Sequence, residues 1–185
     1  GAIGVEFASF YNDMGVEVTL IEAAERVLPA EDKDISEFVH KIFQRRGISI
    51  VTGASIASVK QSASGASITF SGEMAPLSAD RLILAIGITG NTEKIGLEKT
   101  KVKLCKGHIV TGSFGVTDEE NIYAIGDVAG PPWLAHKASH EAIACVEKIA
   151  GYTGAHSVEK TDIPGCVYCR PQVASIGLSE LAAKE

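Results

Sequence analysis

The sequence predicts an α/β protein whose helices pack on a largely parallel sheet, and three stretches of the chain carry this prediction. The opening stretch, GAIGVEFASFYNDMGVEVTLIEA, has helical apolar spacing, then a turn glycine, then the alternation of a strand. Residues 32–46 hold a second apolar stripe at helical spacing. RLILAIG at 81–87 is a short unbroken apolar run that ends in glycine, which is typical of a strand covered on both faces.

The two helices of the amino-terminal half are predicted from the spacing of their apolar residues. The first is expected to run from Ala2 to Met14 and to end at Gly15, before a strand at Val16–Ile21. The second is expected to end at Gly47, and acidic residues at its start suit the positive end of a helix. The stripes are Ile3, Phe7, Phe10, Tyr11 and Met14 in the first helix, and Ile35, Phe38, Val39, Ile42 and Phe43 in the second.

Short alternating stretches between residues 48 and 70, separated by Gly- and Ser-rich turns, predict an antiparallel excursion. The character of the chain changes near Gly107, where we place a domain boundary. The elements expected after it are strands around Ile109–Val110 and Ile122–Ile125, a helix from Leu134 to Ile149, and another strand-bearing unit from Ser157. The predicted domains are residues 1–106, 107–156 and 157–185.

Composition and charge exclude several classes of function. The 17 basic and 23 acidic residues give a net charge of −6 with no basic run, which argues against nucleic acid as a partner. The longest apolar runs, such as Leu82–Ile86, fall far short of the ~20 residues that cross a bilayer, so no membrane segment is predicted. The chain begins with Gly instead of Met, and we expect its native start to lie elsewhere.

Four scattered cysteines are typical of a reduced intracellular protein, and only Cys166 and Cys169 form a CxxC. A zinc site would need two further ligands at matching spacing, and none follows, so no metal is predicted. On a strand, an offset of three puts the two side chains on opposite faces, with Cα atoms ~10 Å apart at ~3.3 Å per residue. That separation exceeds the ~7 Å limit for a disulfide, so we interpret the pair as two free thiols.

The opening glycines fit a nucleotide-binding turn. Gly1 and Gly4 match the last two glycines of G-x-G-x-x-G, which let the backbone approach a pyrophosphate and let helix and strand pack closely. Glu22 ends the next strand, where a carboxylate accepts hydrogen bonds from the adenosine ribose and repels the extra phosphate of NADP. NAD is therefore the predicted dinucleotide. The alternatives are a plain packing motif for the glycines and a solvated strand-end charge for Glu22.

A second candidate site occurs in TDEENIYAIGDVAGPPWLAHKASHEAI. A strand delivers Gly126 and Asp127 to its carboxyl end, a Pro-containing loop turns, and a helix begins near Leu134. By itself, Asp127 is also consistent with a helix cap or a turn residue. The phrases VTDEENIYAIGDV and WLAHKA, however, closely resemble the second FAD-binding segment of the dihydrolipoamide dehydrogenases.

This resemblance extends over essentially the whole chain. GAIGVEFASFY is similar to the NAD turn of that family, LILAIG to its nicotinamide-side strand, and IPGCVYCRPQVASIGLSE to the first strands of its dimer-interface domain. It implies a Rossmann-like, three-layer NAD-binding domain whose first strand lies before Gly1. It also implies that the returning part of the FAD domain and the start of an α+β interface domain follow.

The resemblance implies a role for individual residues. Toward NAD, these are Gly1, Ala2, Ile3 and Gly4 at the pyrophosphate, Glu22 at the adenosine ribose, Ile56 at the adenine side, Gly87 at the bound dinucleotide and Glu6 near the nicotinamide. Toward FAD, they are Asp127 at the ribityl chain, with Leu134, Ala135 and His136 at the helix start beneath the flavin's pyrimidine edge. The positive end of that helix would stabilise a reduced, anionic flavin. The alternative for His136 is a helix-start histidine that bonds a backbone group.

Two stretches depart from the family pattern. Where relatives commonly read G-R-x-P-N after the nicotinamide-side strand, this chain has Gly87-Ile88-Thr89-Gly90-Asn91, and a cationic contact is absent. Where relatives usually have Thr-x-Pro-Glu, this chain has Cys169-Arg170-Pro171-Gln172.

The function implied is the transfer of electrons from dihydrolipoyl groups of 2-oxo-acid dehydrogenase complexes, through a redox disulfide and FAD, to NAD. We expect the chain to be an internal, inactive piece of a homodimeric flavoenzyme, because the family's disulfide and its His–Glu acid/base pair belong to other parts of the protein. Such enzymes lie in the bacterial cytoplasm or the mitochondrial matrix. The alternatives are another NAD(P)-linked flavoprotein disulfide reductase, a nucleotide-sensing module without chemistry, and a structural domain that binds no nucleotide.

Overall fold

The computed structural model describes residues 1–184, which form a mixed α/β structure of two compact units. Gly1–Gly87 and the residues from Cys166 onward make up the first unit, and Ile88–Gly165 make up the second. The helices are α1 (Ala2–Asp13), α2 (Lys33–Arg45), α3 (Ala135–Ile149) and α4 (Glu180–Lys184). The strands are β1 (Thr19–Ile21), β2 (Ser49–Val51), β3 (Ile56–Ser62), β4 (Gly65–Phe70), β5 (Leu77–Ala79), β6 (Leu104–Cys105), β7 (His108–Ile109), β8 (Gly165–Val167) and β9 (Val173–Ser175).

The first unit contains a parallel and an antiparallel sheet. β1 and β2 pair in parallel, with Leu20 opposite Ile50. β3, β4 and β5 form an antiparallel sheet with β4 in the centre, which confirms the predicted excursion for residues 56–70. The prediction was wrong for residues 48–50, because β2 pairs in parallel with β1. The predicted strand at Val16–Ile21 is present but shorter, since its ladder begins at Thr19.

Helix α1 has the predicted position, but the predicted apolar stripe is not its buried face. Val5, Ala8 and Ser9 are the buried residues of α1. The stripe residues Ile3, Phe7, Phe10, Tyr11 and Met14 are all exposed. The reason is steric, because small side chains let a helix axis approach a sheet closely, whereas the aromatic residues are accommodated on the opposite side.

Helix α2 begins and ends where the sequence predicts. The Asp32 carboxylate caps it by accepting a 3.1 Å hydrogen bond from the Asp34 N–H. Gly47 follows it at a φ of +88°, a conformation that glycine adopts at little cost. Val39 and Phe43 are fully buried in the core of the unit, whereas Ile35 and Phe38 of the predicted stripe are exposed.

Two predicted strands do not form as predicted. Residues 81–87 have no regular secondary structure and pair with no strand among residues 1–184, and Leu84 and Ile86 are 65% and 87% exposed. A strand needs a ladder partner, and apolar composition alone does not supply one. Within Ile122–Ile125 only one bridge forms, between Val116 and Tyr123.

The second unit is built around α3, which confirms the predicted helix. Its buried residues, Lys137, Ala144 and Cys145, pack against the short turns at Ser113–Gly115 and Gly126–Ala129. No helix in the described part of the chain is long and apolar enough to cross a membrane.

The carboxyl-terminal segment joins the core of the first unit. β8 pairs with β9, and Val167, Cys169 and Val173 are buried in the same cluster as Val5 and Phe43. Cys166 and Cys169 are both free thiols. The domain boundaries proposed at residues 106 and 156 stay predictions.

Candidate functional site

The first candidate site is the start of α1 together with the end of β1. The amino group of Gly1 donates a 2.9 Å hydrogen bond to Glu22 Oε2, and the Ala24 N–H donates one of 3.0 Å to Glu22 Oε1. The Glu22 side chain is 17% exposed. Burial acts to raise the pKa of Glu22, but the hydrogen bonds from Ala24 and from the Gly1 amino group lower it below its usual value. The structure therefore brings the glycine turn next to an ionised carboxylate.

The first turn of α1 has free backbone donors. Gly1 is the N-cap residue, and no side chain caps the helix in the described structure. The Val5 N–H is the first to find a helical acceptor, at Gly1 O, so the preceding amides are available to an anion. A Cβ on Gly4 would lie 3.6 Å from the Ala85 Cβ and 3.8 Å from Leu20 Cδ1, which places this residue directly over the sheet.

The other residues of the predicted NAD site, Ile56, Gly87 and Glu6, belong to the same unit. Two backbone bonds, Glu22 N–H to Val51 O at 2.8 Å and Ala54 N–H to Glu22 O at 3.1 Å, hold the chain just before Ile56 beside Glu22. Gly87 has a φ of +116°, a region that side-chain-bearing residues avoid. The Glu6 carboxylate, on α1, accepts a 2.8 Å hydrogen bond from the Tyr168 N–H.

The second candidate site is the turn at Gly126–Gly130. Gly126 and Gly130 have φ values of +72° and +98°, so both ends of the turn require glycine. A Cβ on Gly126 would lie 3.2 Å from the Ala138 Cβ. Asp127 is exposed, and its carboxylate makes no hydrogen bond within residues 1–184. It caps neither its own turn nor α3, so of the two structural alternatives only that of a turn residue remains.

Lys137 and Glu141 of α3 hold this turn, and sequence reasoning missed them. Lys137 Nζ donates to Gly126 O at 3.0 Å, to Gly130 O at 3.1 Å and to the Glu141 carboxylate at 3.1 Å. Glu141 Oε2 also accepts a 2.7 Å hydrogen bond from the Gly126 N–H. A usable signal existed, since Lys137, Glu141, Ala144 and Cys145 follow the i, i+4, i+7, i+8 spacing of a buried helix face.

The start of α3 leaves backbone donors free, as the start of α1 does. Leu134 is the N-cap, with an extended backbone, and makes no side-chain cap. The Ala138 N–H is the first to bond within the helix, to Leu134 O, so the amides of Ala135, His136 and Lys137 have no helical acceptor. His136 Nε2 lies 2.8 Å from Pro164 O. His136 therefore contacts a backbone carbonyl, as its structural alternative expects, and its role toward FAD stays a prediction.

A histidine–tryptophan pair flanks this site and was also missed. Trp133 Nε1–H donates a 3.2 Å hydrogen bond to His108 Nε2, and the two rings stack with centroids 5.6 Å apart. A cleft of about 710 Å³, bordered by His108, Gly130, Lys137 and Glu141, opens beside the turn in the second unit.

Comparison with known proteins shows that the whole chain is similar in sequence to one group of enzymes. Residues 1–142 match the family described as pyridine nucleotide-disulphide oxidoreductase. The dihydrolipoyl dehydrogenase of Rhizobium etli is 48% identical over 188 residues, which cover 100% of this chain and 39% of that protein. That of Zymomonas mobilis is 45% identical and covers 100% of this chain and 40% of that protein. The chain therefore spans about 40% of the length of the relatives that it matches.

Solved structures give the same picture. LpdA from Mycobacterium tuberculosis superposes with a TM-score of 0.91 at 27% identity, covering 100% of this chain and 40% of that one. The HOCl-induced flavoprotein disulfide reductase of Escherichia coli superposes with a TM-score of 0.88 at 28% identity, covering 100% of this chain and 42% of that one. The mixed α/β structure therefore matches the fold of flavoprotein disulfide reductases.

Proposed function

The chain belongs to the pyridine nucleotide-disulphide oxidoreductase family, and from this premise we propose that it supplies the NAD site and part of the FAD site of a dihydrolipoamide dehydrogenase. The substrates would be dihydrolipoyl groups of 2-oxo-acid dehydrogenase complexes. Relatives named dihydrolipoyl dehydrogenase support this assignment, because three of them are 41% to 48% identical over the full chain.

The observation that carries the proposal is that α1 begins with amides that have no helical acceptor, while the Glu22 carboxylate ends β1 and accepts the Ala24 N–H. A ligand whose pyrophosphate met the free amides of α1 would bring its ribose to the Glu22 carboxylate, which is partly shielded from water. Glu22 would accept hydrogen bonds from the ribose hydroxyls and repel a phosphate on the same ring. These residues therefore fit NAD better than NADP.

The turn at Gly126–Gly130 and the start of α3 fit FAD. The Asp127 carboxylate is exposed and makes no hydrogen bond within residues 1–184, so it would be free to accept the ribityl hydroxyls. The uncapped amides at Ala135 and His136 would face the pyrimidine edge of the flavin, where the positive helix end favours negative charge. When bound, FAD would accept the electrons of the dithiol and pass a hydride to NAD.

We also propose that the protein acts as a homodimer, with residues from 157 onward at the start of the dimer-interface domain. The proposed location is the bacterial cytoplasm, or the mitochondrial matrix in a eukaryote. Both statements rest on the resemblance of IPGCVYCRPQVASIGLSE and of the whole chain to dihydrolipoamide dehydrogenases.

A second candidate function is that of another flavoprotein disulfide reductase. The structural match to the Escherichia coli HOCl-induced flavoprotein disulfide reductase favours it, because that match covers the whole chain. The sequence identity to that protein, 28%, is lower than the 48% to the Rhizobium etli dihydrolipoyl dehydrogenase.

The test assays the full-length gene product, loaded with FAD, with two substrate pairs: dihydrolipoamide with NAD, and glutathione disulfide with NADPH. We expect NAD reduction that depends on dihydrolipoamide, followed as NADH absorbance. Glutathione disulfide with NADPH is the matched control for the related reductases, and we expect no turnover with that pair. Turnover with glutathione disulfide and none with dihydrolipoamide would contradict the first proposal and support the second, another flavoprotein disulfide reductase.

A further inference from the structure

The ion pair of Lys137 and Glu141 on α3 has no part in the function proposed above, yet it bonds both ends of the turn that contains Asp127, the residue proposed to hold FAD. Lys137 is 3% exposed, which is rare for a lysine and costly unless every polar group is paired. Its three ammonium hydrogens have three acceptors, namely Gly126 O, Gly130 O and the Glu141 carboxylate.

The side chains of Lys137 and Glu141 form hydrogen bonds with both ends of the Gly126–Gly130 turn. The Lys137 ammonium joins the carbonyls of Gly126 and Gly130, and Glu141 Oε2 accepts the Gly126 N–H at 2.7 Å. Any shift of this turn would leave a buried ammonium, a carboxylate or two carbonyls without partners, which is strongly unfavourable in a protein interior. The turn is therefore held in one conformation.

Asp127 lies inside this turn and depends on it for its direction. Its carboxylate has no hydrogen bond among the described residues, so only the backbone of the turn sets where it points. The positive φ of Gly126 and the 3.2 Å separation of its hypothetical Cβ from Ala138 show how closely the turn is seated on α3. We propose that Lys137 and Glu141 are positioning residues that hold the Gly126–Gly130 turn so that Asp127 meets the ribityl chain of FAD. This inference rests on the proposed function.

The test measures FAD affinity in the full-length protein, by fluorescence titration of the apoprotein and by flavin retained after dialysis. Lys137→Met and Glu141→Gln should each weaken FAD binding about tenfold or more, by analogy with the loss that follows when the hydrogen-bond partner of a metal ligand is removed. Asp127→Ala is the reference for loss of the direct contact. Lys33→Met is the matched control, because Lys33 and Glu37 form an exposed i, i+4 pair on α2; it should leave FAD affinity unchanged.

A double variant separates positioning from folding. Lys137→Met with Glu141→Leu removes the buried ammonium together with its half-buried carboxylate partner. The melting temperature of this double variant should therefore lie closer to that of the parent protein than the melting temperature of Lys137→Met does. Its FAD affinity should stay low. Parent-like FAD affinity in a folded Lys137 variant, with Asp127→Ala impaired, would overturn the positioning role and leave the proposed function intact. Parent-like affinity in Asp127→Ala would overturn both, because Asp127 would then hold no flavin.

Discussion

Glu22 is the residue on which the choice of dinucleotide should depend. We expect the full-length enzyme to prefer NAD over NADP by orders of magnitude, because the Glu22 carboxylate would face the 2′-phosphate. Glu22→Arg should narrow the ratio of the two kcat/KM values, since a charge-assisted hydrogen bond to the ribose is worth about 1.5 to 3 kcal/mol, or roughly 10- to 100-fold. Glu25→Arg changes an exposed charge three residues away and is the control. Equal kcat/KM values of the parent enzyme for NAD and NADP would show that the Glu22 carboxylate does not face the 2′-phosphate.

The Trp133–His108 pair offers a spectroscopic test of the second site. His108 Nδ1 lies 3.1 Å from Lys106 O, so it donates there, and the unprotonated Nε2 accepts from Trp133. Trp133 is the single tryptophan, so its fluorescence reports on this contact. His108→Leu removes both the acceptor and the stacked ring and should therefore change the emission of Trp133. His140→Leu changes an exposed histidine of the same unit and should leave the emission unchanged; equal spectra of the parent and His108→Leu would contradict the assignment.

At the scale of elements, Asp32 links two helices. Its Oδ1 accepts from the Asp34 N–H of α2, and its Oδ2 accepts from the Glu180 N–H of α4 at 3.0 Å. The hydrogen bonds from Glu180 and then Asp34 lower the pKa of Asp32. A lowered folded-state pKa means that the stabilisation is present above the unfolded-state pKa and is lost as the pH falls through the folded value.

Asp32→Asn retains one carbonyl acceptor and should therefore cap only one of the two helices. We expect faster amide exchange at Glu180 or at Asp34 near neutral pH, and the parent chain should show the same loss of protection in acid. Asp34→Asn is the control, because it removes a charge at the same helix end without removing a cap. Equal effects of both variants would point to helix-end charge instead of capping.

Helices α1, α2 and α3 were predictable from the sequence to within about one residue, because spacing, caps and turn glycines are local features, whereas the short α4 was not predicted. Their buried faces were less predictable. The stripe of α1 is exposed while Ala8 and Ser9 are buried, since contact with β1 depends on side-chain size as well as on polarity. Residues 82–86 have strand composition, but a ladder depends on a partner distant in sequence. Lys137 lies on the face of α3 that Ala144 and Cys145 mark as buried, but its role could not be predicted because its acceptors, the carbonyls of Gly126 and Gly130, are known only from the structure.

For the whole chain, the 185 residues on their own should not reduce NAD with dihydrolipoamide. The four cysteines are all free, and no pair of them forms the redox disulfide that the proposed reaction requires. The assay is NADH formation after the chain has been incubated with FAD, with the full-length gene product as the positive control. Turnover by the 185-residue chain would contradict the assignment of the disulfide and the acid/base pair to other parts of the enzyme.

The last prediction concerns the open edge of the first unit. The amides of Leu82–Ile86 make no backbone hydrogen bond in residues 1–184, and Ile83 and Leu84 are 44% and 65% exposed. An apolar segment with unpaired N–H and C=O groups is a template for another strand. In dilute solution these amides should exchange rapidly with deuterium, whereas that of Ile68, buried in the central strand β4, should be protected. Raising the protein concentration should slow exchange at Ile83 and Leu84 if a second molecule covers the edge. If sedimentation shows the chain to be monomeric and both amides are still strongly protected, residues 82–86 must pair with a strand within the same chain. That result would contradict the strand pairing described above.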